Sequence, residues 1–401
     1  MSQAADASRR SAALRQPPLW LLVLVTFSGT LAMHMFVPAL PVAAADLHAG
    51  VGAMQMTISL YIVGLAVGQL IYGPLSDCFG RRPTLLAGLA LYTAAGLGAA
   101  LAPGAGSLIA ARLLQALGGC AGLALGRAIV RDTAGSEDAV RRLALLNLMT
   151  MAGPALAPMI GSTLSTMLGW RSIFLVLVTL GAVNLLSVWR LLPETGRPSG
   201  RLSTRSLLQD YRHLLRSPVF LGFAVGGGCT TTAIYAFIAV APFLFVHELH
   251  RPLHEVGIYL GLLMVGMAAG NVLTGRLISR VTMERLIIGA SLLVLVSSLA
   301  FFAATLLGLL TVPVAVGTMS LLTLGAGMSS PPALTKAISI DPRLTGSAAG
   351  LYGFIQMTVG ALFTALTASG PDPALAAALV LSLGAVIAQI AFAFAIHRQR
   401  A

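Results

Sequence analysis

Runs of roughly 20 apolar residues, each followed by a short polar interruption, recur along the whole chain. We read twelve of them, at 19–42, 53–76, 84–102, 107–130, 142–168, 171–192, 218–245, 255–279, 285–307, 310–333, 345–368 and 373–396. Each is long enough to cross ~30 Å of hydrocarbon as a helix. The pattern predicts an all-α membrane protein with twelve transmembrane helices. Little chain is left over. The longest interruption, PETGRPSGRLSTRSLLQDYRHLLRS at 193–217, is polar and Arg-rich. It reads as a cytoplasmic linker between an N-terminal six-helix half at 1–192 and a C-terminal six-helix half at 218–401. No stretch is long enough for a separate soluble domain.

Composition agrees with this picture. The chain is 57% hydrophobic and 9% charged, whereas soluble domains are nearer ~25% charged. The formal net charge of +12 could suggest nucleic acid. The basic residues are instead scattered between apolar runs rather than gathered in one patch, so nucleic-acid binding is not expected. Cys78, Cys120 and Cys229 lie in or beside apolar runs and suggest no disulfide framework and no metal motif. VAAAD at 42–46 has the small residues of a signal-cleavage site. The run before it is longer than the ~7–15 residues of a signal core, so it is read as a retained first span. With the N-terminus placed inside, the outside loops hold only Arg171 and Arg251, and the remaining loop arginines and Lys336 fall inside. This asymmetry puts both termini in the cytoplasm. Trp20, Trp170 and Trp189 all fall at span ends, as an aromatic belt requires.

The halves repeat. YIVGLAVGQLIYG and LLMVGMAAGNVLTG align Gly64, Gly68 and Gly73 with Gly266, Gly270 and Gly275 at a constant offset of 202 residues. Two parallel six-helix repeats are one plan of secondary transporters. The first of these segments leads into GPLSDCFGRRP at 73–83. Gly73 would let backbones approach, and Pro74 would limit the helix. Asp77 at a span end needs a partner. Gly80 gives a tight turn, and Arg81 and Arg82 fit an inside loop.

This stretch resembles the signature of the major facilitator superfamily at nearly every position. ARLLQALGGC at 111–120 resembles its fourth-helix motif, and GPALAPMIG at 153–161 resembles the fifth-helix motif of its drug–proton antiporters. VPALPVAAADL at 37–47, RAIVRD at 127–132 and GWRSIF at 169–174 are similar to its bicyclomycin- and chloramphenicol-resistance (Bcr/CflA) branch. The resemblance covers nearly the whole chain. It implies two pseudo-symmetric six-helix bundles, monomeric and with no cofactor, in a bacterial inner membrane. It implies proton-coupled efflux of small amphipathic compounds by alternating access, with export or import of an endogenous metabolite as the alternative. For Asp77 it implies a latch to the start of helix eleven, near Thr345–Gly346, and to Arg127 or Arg131. A helix N-terminus carries roughly half a positive charge, which suits that role. In the second half Ser279 stands where the acid would be, so one strong latch is expected.

Few ionisable side chains lie inside the spans, and no carboxylate lies at the centre of any. Arg112, Gln115, Gly119, Gly122 and Gly126 share one helix face at about 100° per residue. Such a face turns toward helices or a cavity. The alternative is an arginine that snorkels to the interface. His34 follows Thr26 and Thr30 at four-residue spacing. In the resembled branch this stretch commonly reads D-m-Y-L-P. Here it reads HMFVP, so both the usual acid and the tyrosine are replaced. Either His34 takes over proton coupling, or it is a polar wall residue. On helix five, Gly153, Ala157 and Gly161 form a small-residue face, and Pro154 and Pro158 should bend the helix. Asn147, Met151, Thr231, Tyr235 and Gln356 are candidates either for cavity walls or for helix–helix contacts. His247, His250 and His254 lie in an outer loop that Pro252 interrupts, and they suggest no metal site. We see no nucleophile–base pair in the spans, so no enzyme is expected. Apolar walls suit a small amphipathic substrate better than a sugar.

Overall fold

The computed structural model describes residues 17–133, 155–196, 204–341, 344–368 and 372–400. These form α1 (Leu19–Asp46), α2 (Val51–Phe79), α3 (Arg81–Ala100), α4 (Ala105–Thr133), α5 (described over Ala155–Leu168) and α6 (Arg171–Leu191). A short linker helix, Thr204–Leu215, follows. The second half is α7 (Pro218–Glu248), α8 (Leu253–Leu277), α9 (Met283–Leu306), α10 (Val312–Ile338), α11 (Thr345–Ala368) and α12 (Pro373–Arg400). Among the described residues, 11 helices are long and apolar enough to span a membrane, and α5 is a shorter apolar helix. Helices dominate because hydrocarbon offers no partner for backbone N–H and C=O groups. Several helices overrun their apolar windows by a few residues, since charged ends extend into water without loss.

Two spans are broken, each for a local reason. In α1 a 3₁₀ turn at Val37–Ala39 separates Leu19–Phe36 from Leu40–Asp46. Pro38 and Pro41 remove two backbone donors there. In α7 the helix stops at Thr231, resumes at Ile234 and ends in a π turn at Leu244–Glu248. Its start is well defined, with Ser217 accepting from the Phe220 N–H and Pro218 in the first turn.

The halves share one packing plan. In the first, α4 packs on α1, α2 and α3, and α3 packs on α6. In the second, α10 packs on α7, α8 and α9, and α9 packs on α12. Repeat glycines sit at close contacts in both halves. A Cβ at Gly64 would sit 2.6 Å from the Leu113 carbonyl oxygen of α4, and one at its counterpart Gly266 would sit 2.9 Å from the Ser320 carbonyl oxygen of α10. The third aligned pair differs. Gly73 and Gly275 face open space, so Gly73 does not serve close approach. Pro74 does not end its helix either, since α2 runs on to Phe79.

A second symmetry is electrostatic. At the arginine-rich end, Arg81 at the start of α3 donates from Nε to Asp132 Oδ2 near the end of α4, at 2.9 Å. Beside it, Arg82 Nη2 donates to the Trp189 carbonyl of α6 at 2.7 Å. In the second half, Lys336 near the end of α10 pairs with Glu284 at the start of α9. Lys336 also reaches Gln399 of α12 at 3.4 Å. The same three-helix joint is built twice with the charges exchanged.

The linker helix docks on the second half. Leu214 is buried, Tyr211 approaches Gly350 of α11, and Asp210 accepts from Ser347 Oγ at 3.4 Å. Leu208, by contrast, is 70% exposed. An apolar residue beside the exposed Arg212 suits the membrane–water boundary. Of the three tryptophans, Trp20 and Trp189 are exposed as a belt requires, but Trp170 is buried. Its indole Nε1 donates to Asp46 Oδ2 at 3.1 Å, so it ties the end of α1 to the α5–α6 turn.

The charge-exchanged joint makes a test. Glu284→Lys and Lys336→Glu should each lower the thermal stability of the purified protein by about 1 kcal/mol. The double exchange should recover most of that loss in a double-mutant cycle.

Candidate functional site

The site grows from the glycine face of α4. Gly119, Gly122 and Gly126 lie so close to α1 that a Cβ at Gly122 would sit 2.1 Å from the Val25 carbonyl oxygen. The face read from sequence therefore turns toward a helix. Arg112, on the same face, is completely buried and does not snorkel. Its Nη1 donates to Gln115 Oε1 at 2.8 Å and to the Ala32 carbonyl of α1 at 3.1 Å. The guanidinium carbon stands 4.0 Å from the Tyr61 ring centroid, 5.4 Å from that of Phe36 and 5.7 Å from that of Phe174. Cation–π attraction to desolvated rings is worth about 2 kcal/mol and offsets part of the cost of burial. Among the described residues no carboxylate bonds to Arg112, and its Nε and Nη2 have no acceptor.

His34 lies two residues past the carbonyl that Arg112 holds. It is 4% exposed, and its Nδ1 lies 2.8 Å from the Thr30 carbonyl oxygen. A carbonyl oxygen only accepts, so Nδ1 carries the hydrogen and Nε2 is left to gain or lose a proton. The next residue is fixed from the other side. A Cβ at Gly161 of α5 would overlap the Met35 carbonyl oxygen at 1.8 Å. Gly161 and Arg112 thus hold the His34 turn between them. The ring faces Tyr235 of α7, in the other half, at a centroid distance of 6.3 Å.

Neutral polar groups continue this boundary. Thr232 Oγ1 donates to the Gln356 carbonyl at 2.7 Å, and Gln356 Nε2 donates to Thr231 Oγ1. These bonds bind α11 to the break in α7. Tyr235 lies on the same surface, near Gly360. Asn147, Met151, Gly153 and Pro154 fall outside the described residues.

At the end opposite the arginines the halves meet backbone to backbone. A Cβ at Gly257 of α8 would lie 2.7 Å from the Pro158 carbonyl oxygen, and one at Gly261 would lie 2.8 Å from that of Ala155. On the other seam a Cβ at Gly52 of α2 would lie 2.9 Å from the Ala368 carbonyl oxygen of α11. This conformation is closed at that end.

The signature loop lies at the arginine-rich end. Gly80 has φ +100°, which explains the glycine. Asp77 is exposed and pairs with Arg81 Nη1 at 2.6 Å, and the same guanidinium reaches Asp132. Arg127 is exposed, and Arg131 lies in the last turns of α4. Helix α11 begins at Thr345, as expected. A cleft of about 310 Å³ is lined by Ser76, Asp77, Arg81, Asp132, Thr195 and Gly196, so it belongs to this loop and not to the boundary between the halves.

Sequence reasoning missed Glu194. Its carboxylate accepts from the backbone N–H groups of Arg81 (2.8 Å), Arg82 (3.2 Å), Thr195 (3.0 Å) and Gly196 (2.9 Å). It therefore caps α3 from the start of the linker. The signal was present, since an acid directly after a span needs donors. The interior tyrosines were also missed. Tyr61 donates to the Gly29 carbonyl at 2.6 Å and Tyr92 to that of Ser28 at 3.2 Å. Asn184 Nδ2 donates to Ser28 Oγ at 2.6 Å. A buried Tyr hydroxyl ordinarily finds such a partner, which made these residues candidates for helix contacts.

Comparison with known proteins agrees with this architecture. The chain is 32% identical over 357 residues to multidrug resistance protein D of Escherichia coli, covering 88% of this chain and 89% of that one. It is 26% identical over 370 residues to the bicyclomycin resistance protein homolog of Haemophilus influenzae, covering 91% and 92%. The crystal structure of a D-xylose–proton symporter has a TM-score of 0.73 at 16% identity, covering 94% of this chain and 95% of that one, a likeness of fold. The family model of the Major Facilitator Superfamily matches residues 22–365, and the chain belongs to that superfamily of membrane transporters.

Proposed function

We propose that this transporter exports small amphipathic compounds across a bacterial inner membrane, as a monomer, in exchange for protons. The carrying observation is His34. It stands at the boundary between the halves with one ring nitrogen committed to Thr30 and the other open to a proton. Resistance-named relatives at 26–32% identity support export of toxic compounds. The concentration of arginine at one end supports a cytoplasmic location for that end and for both termini.

In this reading the halves rock about the boundary between them. The glycine contacts of α5 on α8 and α2 on α11 form the outer seal. When they part, His34 meets outside water and takes up a proton. When they close, the proton leaves toward the cytoplasm. Alternating exposure gives one imidazole two proton affinities, which coupling requires. Arg112 keeps the His34 turn in register with α4. Asp77, Arg81 and Asp132 serve as the cytoplasmic latch near the start of α11, joined by Arg127 and Arg131.

A susceptibility panel in a pump-deficient host, with and without the gene, tests export. Resistance to no compound would count against it. Vesicle uptake assays then separate export from import.

His34→Gln should abolish substrate-induced proton movement in proteoliposomes while substrate still binds. Normal proton movement in that variant would move the coupling site elsewhere.

Arg112→Ala should reduce transport at least about tenfold, whereas Arg112→Lys should keep partial activity because it retains charge without the planar fork. Wild-type turnover by Arg112→Ala across several pH values would make the arginine purely structural.

A further inference from the structure

The boundary between the halves has a charge sign. Each of the 13 carboxylates stands, by sequence, outside the apolar runs or at the edge of one. The basic groups set deepest in the spans are His34 and Arg112. Tyr235 faces His34 from the other half, and Thr231, Thr232 and Gln356 join α7 to α11, all of them neutral. The Arg112 guanidinium is held by two carbonyl-type oxygens and three aromatic rings, none of them an anion. Its remaining N–H groups, one on Nε and two on Nη2, have no acceptor among the described residues. The interior is therefore fixed positive, and its unused groups include buried donors.

From this we infer that the transporter accepts neutral and anionic amphipaths and excludes permanent cations. The inference rests on the transport reading above and names its substrate class. A carboxylate, nitro or carbonyl group on the substrate would be attracted by the Arg112 field. A quaternary ammonium would meet that field with no compensating acid. At about 10 Å from Arg112 and an effective dielectric near 20, a unit cation would bind roughly 15-fold more weakly than an uncharged analogue. Protonation of His34 adds a second positive charge and widens the gap. In the resembled branch an acid commonly stands at the position of His34, a site that loses charge on protonation where His34 gains it.

The test uses a matched biphenyl series bearing a carboxylate, a hydroxymethyl or a trimethylammonium group. Binding to the full-length protein in nanodiscs is measured by equilibrium dialysis, with empty nanodiscs subtracted. The carboxylate and the alcohol should bind, and the trimethylammonium compound should bind at least about tenfold more weakly. His34→Asp should narrow that gap by restoring an anion beside Arg112. Equal or tighter binding of the trimethylammonium compound to the wild type would overturn the charge inference and leave the transport reading standing. Failure of all three compounds to bind would instead remove the reading of this protein as a carrier of small amphipaths.

Discussion

The buried Arg112 guanidinium is the constraint around which the first half is arranged. A charge in this position needs compensation, and with no acid available the protein supplies π faces and backbone carbonyls. The five compensating groups come from four helices. Tyr61 belongs to α2, Phe36 and the Ala32 carbonyl to α1, Phe174 to α6, and Gln115 to α4 itself. One side chain therefore brings four helices together. Phe36 and Phe174 in turn pack on Trp170, which holds Asp46 at the far end of α1. The stretches at 37–47 and 169–174, far apart in sequence, meet because of this cluster.

The spans were legible because burial in hydrocarbon needs long apolar runs, and their lengths follow from bilayer thickness. The start of α11 at Thr345 and the Arg112–Gln115 pairing were legible too, since both depend on local spacing. Partners across helices were not. In a membrane the lipid-facing and bundle-facing sides of a helix are both apolar, so hydrophobic periodicity does not separate them. Trp170 therefore looked like a belt residue and proved buried. Gly73 looked like its neighbours Gly64 and Gly68 and proved to face open space. The need of Glu194 for donors was legible, but not their identity, because two of them, at Arg81 and Arg82, lie more than a hundred residues away.

The repeat conserves geometry more strictly than chemistry. Gly64 and Gly266 both bring a helix onto a carbonyl, where any side chain would collide. The polar joint at the arginine-rich end had more freedom. A salt bridge works in either direction, so Arg81–Asp132 in one half and Glu284–Lys336 in the other fasten equivalent helix ends with opposite signs. The signature loop then differs from its counterpart in its acid, with Asp77 standing where the second half has Ser279.

The linker carries a mechanical consequence. At one end Glu194 anchors Gly196 to the first half through the backbone of α3. At the other, the helix beginning at Thr204 is fastened to α11 and α7 of the second half. Eight peptide steps join Gly196 to Thr204, and whatever path they take, a fully stretched chain of that length reaches about 28 Å. The linker is thus a tether of bounded reach, and it limits how far the two halves can swing apart at this end while both anchors hold.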